Sequence, residues 1–202
     1  MKFRFEIWPT LAFTVVVISW AAFVIVFLIG RKETSALERK RERTSVIGIV
    51  FQGLSYVAVW TFHRQPFTPL TPSSKPLEIT VAILTIMLAF SSVWFFHAAI
   101  RTLGRQWSLA ARLLEGHQLV QEGVYRIVRN PIYTAMFGML LATGLAISTW
   151  PGLIIAVVLF VVGTTIRIRS EEKLLRNAFG AEFDAYAQKV PLSYRSCFEK
   201  KP

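Results

Sequence analysis

Two polar stretches carry most of the chemistry this chain could perform. One reads Gly123-Val124-Tyr125-Arg126-Ile127-Val128-Arg129-Asn130-Pro131-Ile132-Tyr133; after a long uncharged run come Arg167 and the acid pair Glu171-Glu172. Arginine can hold an anion through two parallel hydrogen bonds, a tyrosine face can meet a cation, and a carboxylate can accept from hydroxyl or amino groups. Arg167 and Glu171 are four positions apart, so on a helix they share one face. They can meet one ligand there, or simply each other in an ion pair worth roughly a few tenths of a kcal/mol. Asn130-Pro131 also has a purely structural explanation, a favoured N-cap followed by proline at the first helical position. Arg126 and Arg129 could equally reach out to lipid phosphates. Glu171-Glu172 fits a plain basic anchor less well, because adjacent carboxylates repel unless cations share them.

The elements that must position these residues are membrane helices. The 202-residue chain is 53% hydrophobic yet carries a net charge of +11, and its mean hydropathy of +0.47 suits a protein whose solvent is lipid. Positions 7–30 hold no charged residue, enough at about 1.5 Å per residue to cross a core of roughly 30 Å. A basic segment follows at 31–43. Positions 44–62 form a second uncharged run, weakened by Gly48, Gln52 and Gly53; Pro66, Pro69 and Pro72 mark a loop over 63–75, and 79–100 is a third run. From 130 to 166 no residue is charged, and one helix of that length would reach about 55 Å. Ser148-Thr149-Trp150-Pro151-Gly152 supplies a break.

The expected fold is therefore all-α, an integral membrane protein of about five transmembrane helices whose last two form a tight hairpin. With five crossings, the basic segments 31–43, 101–129 and the tail from Arg167 share one side. Only Lys2, Arg4, Arg64 and Lys75 remain on the other, so the positive-inside rule sets the basic side in the cytoplasm. Leu175, Phe179, Phe183, Tyr186 and Val190 then make the stripe of a C-terminal amphipathic helix over 171–190, on the cytoplasmic side. Residues 1–202 read as a single membrane domain. Its first part, 1–102, is three helices without a usable motif; the polar chemistry lies in 103–194.

Several classes are excluded. The basic residues lie between apolar runs and form neither a recognition helix nor a stacking platform, so membrane lipids rather than nucleic acid are the expected partners. Cys197 is the single cysteine, which leaves no intramolecular disulfide, and Cys-Phe-Glu-Lys-Lys-Pro is no prenylation box. The first apolar run is followed by basic residues instead of a cleavage site and is expected to stay as an anchor. Three dispersed histidines without acids or cysteine at ligand spacing point to no metal site. His97 is expected near the cytoplasmic end of the third helix and His63 in a loop. A Gly-x-Gly-x-x-Gly turn and a strand–helix alternation are absent, which excludes a soluble nucleotide-binding domain.

His117-Gln118-Leu119-Val120, Gly123-Val124-Tyr125, Arg129-Asn130-Pro131-Ile132-Tyr133, the hairpin, Glu171-Glu172, and Phe179-Gly180 through Tyr186 to Val190-Pro191 follow one another over 103–194. In that order and spacing they resemble the integral-membrane isoprenylcysteine carboxyl methyltransferases and, more broadly, the membrane phospholipid methyltransferases. The resemblance implies a cytoplasmic S-adenosyl-L-methionine pocket built from the loop before the hairpin, the start of its first helix and the end of its second. Carried over position by position, the cofactor residues are His117, Gln118, Leu119, Val120, Tyr125, Asn130, Pro131, Ile132, Tyr133 and Glu171. Arg167 takes the position that faces the methyl acceptor and is the catalytic candidate. Asn130 stands where the family usually has histidine; it keeps a hydrogen-bonding side chain but cannot carry a proton. Ala110-Ala111 offers no glutamine where eukaryotic members supply one for the cofactor.

Methyl transfer from a sulfonium is an in-line displacement that depends mainly on positioning. A carboxylate acceptor is already a nucleophile and needs only a cation, Arg167, to hold it. An amine or phenol would need a base, for which His117 and Glu172 are the nearby candidates. The implied protein is an S-adenosylmethionine-dependent membrane methyltransferase acting on a lipophilic or lipidated acceptor. Alternatives on the same scaffold are an NADPH-dependent relative of the sterol reductases, for which the chain is short, and a non-enzymatic membrane partner. A transporter fits least, since no charged residue falls mid-membrane.

Overall fold

The computed structural model describes residues 6–33, 38–41, 44–65, 67–70, 74–104, 112–114 and 118–192. Lys2, Arg4, Pro66, Pro72, Ala110, Ala111, His117 and Cys197 lie outside them. Five helices alternate in direction: α1 (Ile7–Glu33), α2 (Thr44–Thr61), α3 (Lys75–Leu103), α4 (Pro131–Ile147) and α5 (Trp150–Phe179); a short α6 (Ala181–Lys189) follows. The uncharged runs fall on these helices, and the all-helical membrane fold is borne out. Four of them, α1, α2, α3 and α5, are long and apolar enough to cross a bilayer. The fifth, α4, is apolar but has 17 residues, about 25 Å at the helical rise. A small antiparallel ribbon, β1 (Glu38–Arg41) on β2 (Arg112–Leu114), ties the α1–α2 connection to the segment after α3.

Only Ser148 and Thr149 separate α4 from α5. The break precedes the proline: Pro151 and Gly152 sit in the first turn of α5, where a missing N–H has no partner to lose, and Thr149 Oγ1 accepts from the Gly152 N–H at 3.4 Å. The two legs then take different partners, α4 chiefly α3 and α5 chiefly α2. Along the second pair the backbones touch. A Cβ on Gly48 would lie 2.6 Å from the Gly163 carbonyl oxygen, and one on Gly163 2.7 Å from that of Gly48. Between α4 and α5 larger groups intervene, with the Phe137 and Phe160 rings 5.5 Å apart.

Burial follows the logic of a lipid solvent. Helix α2 turns Ser45, Gly48, Gln52 and Ser55 inward and Ile47, Val50, Leu54 and Val57 outward. Lipid tails are as apolar as leucine, so close packing of small residues and interhelical hydrogen bonds must hold the bundle. Trp20 Nε1 donates to Thr143 Oγ1 at 3.0 Å, the Tyr56 hydroxyl donates to the Met136 carbonyl at 2.8 Å, and Phe23 stacks on Phe96 at 3.7 Å.

The two ends of the bundle are built differently. Away from the ribbon, Arg64 folds over the last turn of α4. Its Nη1 donates to the Ser148 carbonyl at 2.6 Å, its Nη2 to those of Leu145 and Ala146 at 2.8 and 2.6 Å, and its Nε to Thr68 at 2.9 Å. A cation there satisfies carbonyls that the helix leaves unpaired and faces the negative end of its dipole.

One expectation is corrected. The amphipathic helix over 171–190 is two pieces, because nothing breaks α5 between Ile166 and Phe179, so Glu171 and Glu172 belong to the last span's own helix. Gly180, at φ +50, then turns the chain into α6. The apolar stripe survives the corner: Phe183, Tyr186 and Val190 pack with Leu175 and Phe179 of α5 and with Leu119.

Candidate functional site

The ribbon end gathers the two polar stretches. Gly123, at φ +56, approaches Thr102 Oγ1 so closely that a Cβ would sit 2.8 Å from it, and it opens a 3-10 turn, Gly123–Arg126. The turn drops Val124 and Tyr125 onto Ala99 of α3, with Val120 and Ile132 packed around them. The Tyr125 carbonyl accepts from the Tyr186 hydroxyl at 2.7 Å. Two further bonds strap this loop to the segment after α6. The Arg129 N–H donates to the Pro191 carbonyl at 3.0 Å, and Asn130 Nδ2 donates to the Leu192 carbonyl at 3.2 Å. Pro131 opens α4, as its type suggests. Asn130 does occupy the N-cap, but its side chain makes no capping bond because it is drawn to Leu192.

Tyr133 of α4, Arg167 and Glu171 of α5 and Gln52 of α2 form the centre. The Tyr133 hydroxyl donates a hydrogen bond to Glu171 Oε1. The Arg167 guanidinium lies over the Tyr133 ring, 4.9 Å from its centre, with Nη2 3.9 Å from Glu171 Oε1. The expected shared face of Arg167 and Glu171 is therefore real, and it meets the first leg of the hairpin. Arg167 Nη1 donates to Gln52 Oε1 at 2.8 Å, and Gln52 Nε2 donates to Thr164 Oγ1 at 2.8 Å. Gly48 makes room for this, since a Cβ there would collide with Arg167 Cγ. The Arg167 side chain is 5% exposed and that of Glu171 29%, so the acid keeps an accessible edge while the arginine is enclosed. Glu172 takes its own cation, Arg129, with Nη1 2.5 Å from Oε1. Separate cations remove the repulsion that two neighbouring carboxylates would otherwise suffer.

Burial, with the Glu171 charge adding to it, pushes the Tyr125 phenol well above its ordinary range; burial pushes that of Tyr186 up to about 12, with Arg129 pulling the other way. Both phenols are therefore neutral donors at physiological pH, and neither serves as a base.

Among the sequence-derived candidates, Tyr125, Asn130, Pro131, Ile132, Tyr133, Arg167 and Glu171 converge at this end. Val120 lies behind Tyr125, Leu119 packs under α6, and Gln118 is exposed. His117 is outside the described residues. Three participants were missed: Gln52, Arg129 and Tyr186. Gln52 had left a signal, an amide inside an otherwise apolar run, where a polar group needs a partner.

Residues 80–182 match the family model described as phospholipid methyltransferase. The chain belongs to that family. Among its relatives, protein-S-isoprenylcysteine O-methyltransferase B of Arabidopsis thaliana is 35% identical over 95 residues, 46% of this chain and 48% of that protein. Two probable protein-S-isoprenylcysteine O-methyltransferases, from Oryza sativa subsp. indica and subsp. japonica, are each 31% identical over 169 residues, 70% of this chain and 88% of theirs. The chain thus matches about half the length of the Arabidopsis relative and most of the rice ones. The family match begins inside α3 and ends inside α6, so it contains Tyr125, Tyr133, Arg167 and Glu171 and leaves Gln52 outside.

Proposed function

We propose that this protein is an S-adenosyl-L-methionine-dependent methyltransferase that esterifies the carboxylate of a lipophilic or lipidated acceptor at the cytoplasmic face of a membrane. One observation carries the reading: Tyr133, Glu171 and Arg167, drawn from both polar stretches, interlock at one end of a membrane helix bundle.

The donor set fits a cationic cofactor rich in hydroxyl and amino groups. Glu171 offers a carboxylate with an accessible edge, Tyr125 adds a largely buried aromatic ring, and the buried Arg129 Nε has no hydrogen-bond partner among the described residues. Glu171 would hold hydroxyl or amino groups, Arg129 Nε a carboxylate, and the Tyr125 ring the sulfonium, since the Tyr133 ring already meets Arg167. His117, Gln118, Leu119, Val120, Asn130, Pro131 and Ile132 complete the cofactor set. When bound, S-adenosylmethionine supplies a methyl carbon on a sulfonium; transfer forms an O–C bond, breaks an S–C bond, cancels both charges and moves no proton. Arg167 holds the acceptor carboxylate.

An amine acceptor would need a base; of the two candidates Glu172 is engaged by Arg129 and His117 lies outside the described residues. Residues 1–202 work as one membrane domain, since α2 supplies a partner to Arg167. The outward faces are apolar, so an acceptor's tail can stay in lipid while its head group reaches the site. The basic residues at this end favour the cytoplasmic side.

Calorimetric titration of S-adenosylmethionine into the detergent-purified protein tests the reading. Glu171→Gln and Tyr133→Ala are each expected to weaken binding about tenfold or more while the protein stays folded. Undiminished affinity in both variants removes the assignment.

A further inference from the structure

We propose that Gln52, on the helix without a family motif, is a positioning residue that aims Arg167 at an anionic acceptor head group. The inference rests on the methyltransferase reading and deepens it by naming the residue that orients Arg167 toward the acceptor.

Gln52 is 2% exposed, deep in the α2–α5 contact. Arginine has only donors, so the amide oxygen must face Arg167 and the amide NH2 must face Thr164, the arrangement the structure shows. Thr164 and Arg167 are neighbours one turn apart on α5, so Gln52 grips that helix at two adjacent points. The Gly48–Gly163 contact brings α2 close enough for this grip, and the missing Cβ of Gly48 lets the arginine stem lie against α2. The guanidinium is thereby held at one nitrogen by Gln52 and across its plane by the Tyr133 ring.

The partner's chemistry matters as much as its place. A carboxylate at position 52 would be the stronger partner for a buried guanidinium. An amide instead orients Arg167 without adding a second negative charge, beside that of Glu171 at 3.9 Å, to repel an incoming carboxylate. The pattern suits a site where the arginine must be rigid and still attract an anion. Gln52 touches neither cofactor nor acceptor; it acts through Arg167.

The experiment uses the full-length protein in detergent with N-acetyl-S-farnesyl-L-cysteine, which has a free carboxylate, and its methyl ester, which has none. Binding of each is measured by calorimetry without methyl donor, alongside S-adenosylmethionine affinity, thermal midpoint and acceptor kinetics. The unsubstituted protein is expected to prefer the acid to the ester by about tenfold. Gln52→Met should raise the acid's Kd and KM about tenfold, with ester and S-adenosylmethionine affinities held within about twofold. Gln52→Glu, which keeps the shape and adds a charge, should weaken the acid further, by about a hundredfold, and reverse the acid–ester preference.

A merely structural role would shift both probes and the methyl donor together. That parallel loss overturns the inference, as does an acid–ester preference unchanged in either variant at an unchanged thermal midpoint. If the unsubstituted protein binds S-adenosylmethionine but does not prefer the acid, the inference falls and the methyltransferase reading stands. If it binds no S-adenosylmethionine, the methyltransferase reading itself fails.

Discussion

Arg64 at one end of the bundle is half-buried and Arg167 at the other is buried, and their contacts among the described residues differ in kind. Arg64 donates to four backbone carbonyls, three of them at the end of α4. Arg167 meets the Gln52 amide, the Tyr133 ring and, at longer range, Glu171, and these three partners are side chains. Backbone carbonyls move only when the fold moves, so the contacts of Arg64 are as permanent as α4 itself. Burial lowers its guanidinium pKa to about 10, still far above physiological pH, and the cap stays charged. Side-chain partners can be exchanged for those of a ligand. Equal chemistry at two ends therefore serves architecture at one and, on the proposed function, recognition at the other.

The sharpest way to break this comparison is to remove each charge in turn. Arg167→Met should reduce methyl transfer by about a thousandfold, or ~4 kcal/mol of barrier. Its thermal midpoint should fall moderately, because the buried Gln52 amide oxygen loses its donor and Glu171 its cation, about 1–3 kcal/mol. Arg64→Met should cost stability and spare the cofactor site. Orphaned carbonyls should cost about 3 kcal/mol in denaturant unfolding, while S-adenosylmethionine affinity holds within about twofold. An inactive but stable Arg64→Met together with an active but unstable Arg167→Met would invert the assignment of the two ends.

A smaller perturbation asks how far the site depends on the α2–α5 contact. Gly48→Ala should cost about 2 kcal/mol through overpacking against Gly163 and Arg167, and a protein of unchanged midpoint would show that the helices can part. The smallest effect concerns the strap. Tyr186→Phe removes one hydrogen bond, about 1 kcal/mol. Its pH signature is more telling: the unfolded phenol ionises near its ordinary value of 10 and the folded one near 12. Stability should thus be level below pH 10 and fall as pH rises from about 10 to about 12. The phenylalanine variant should lack that part of the fall.

The helices were legible because charge-free runs of membrane length leave a local mark, and the motif-bearing half followed from its residue order, in line with the family match. The convergence of Tyr133 with Arg167 and Glu171 was also foreseeable, since a short turn must bring the start of one leg beside the end of the other. Gln52 was not placed, because its contact with Arg167 joins residues 115 positions apart and no period or spacing records such a pairing. The corner at Gly180 escaped for a subtler reason: the apolar stripe keeps its helical rhythm through the bend, so periodicity sees one helix where the backbone makes two. Arg64 was read as a loop charge, since composition cannot say which carbonyls a side chain will cover. The side chain of Asn130 was assigned by its propensity to cap, and a tertiary partner at Leu192 overrode that preference.

The strap between the loop and the segment beyond α6 also has an order in time. Tyr125 and Asn130 find their fasteners 61 and 62 residues later in the chain, at Tyr186 and Leu192. Synthesis must therefore pass the whole hairpin before this strap can close. Until then the earlier helices can already be anchored in lipid while the motif-bearing half is still unfastened.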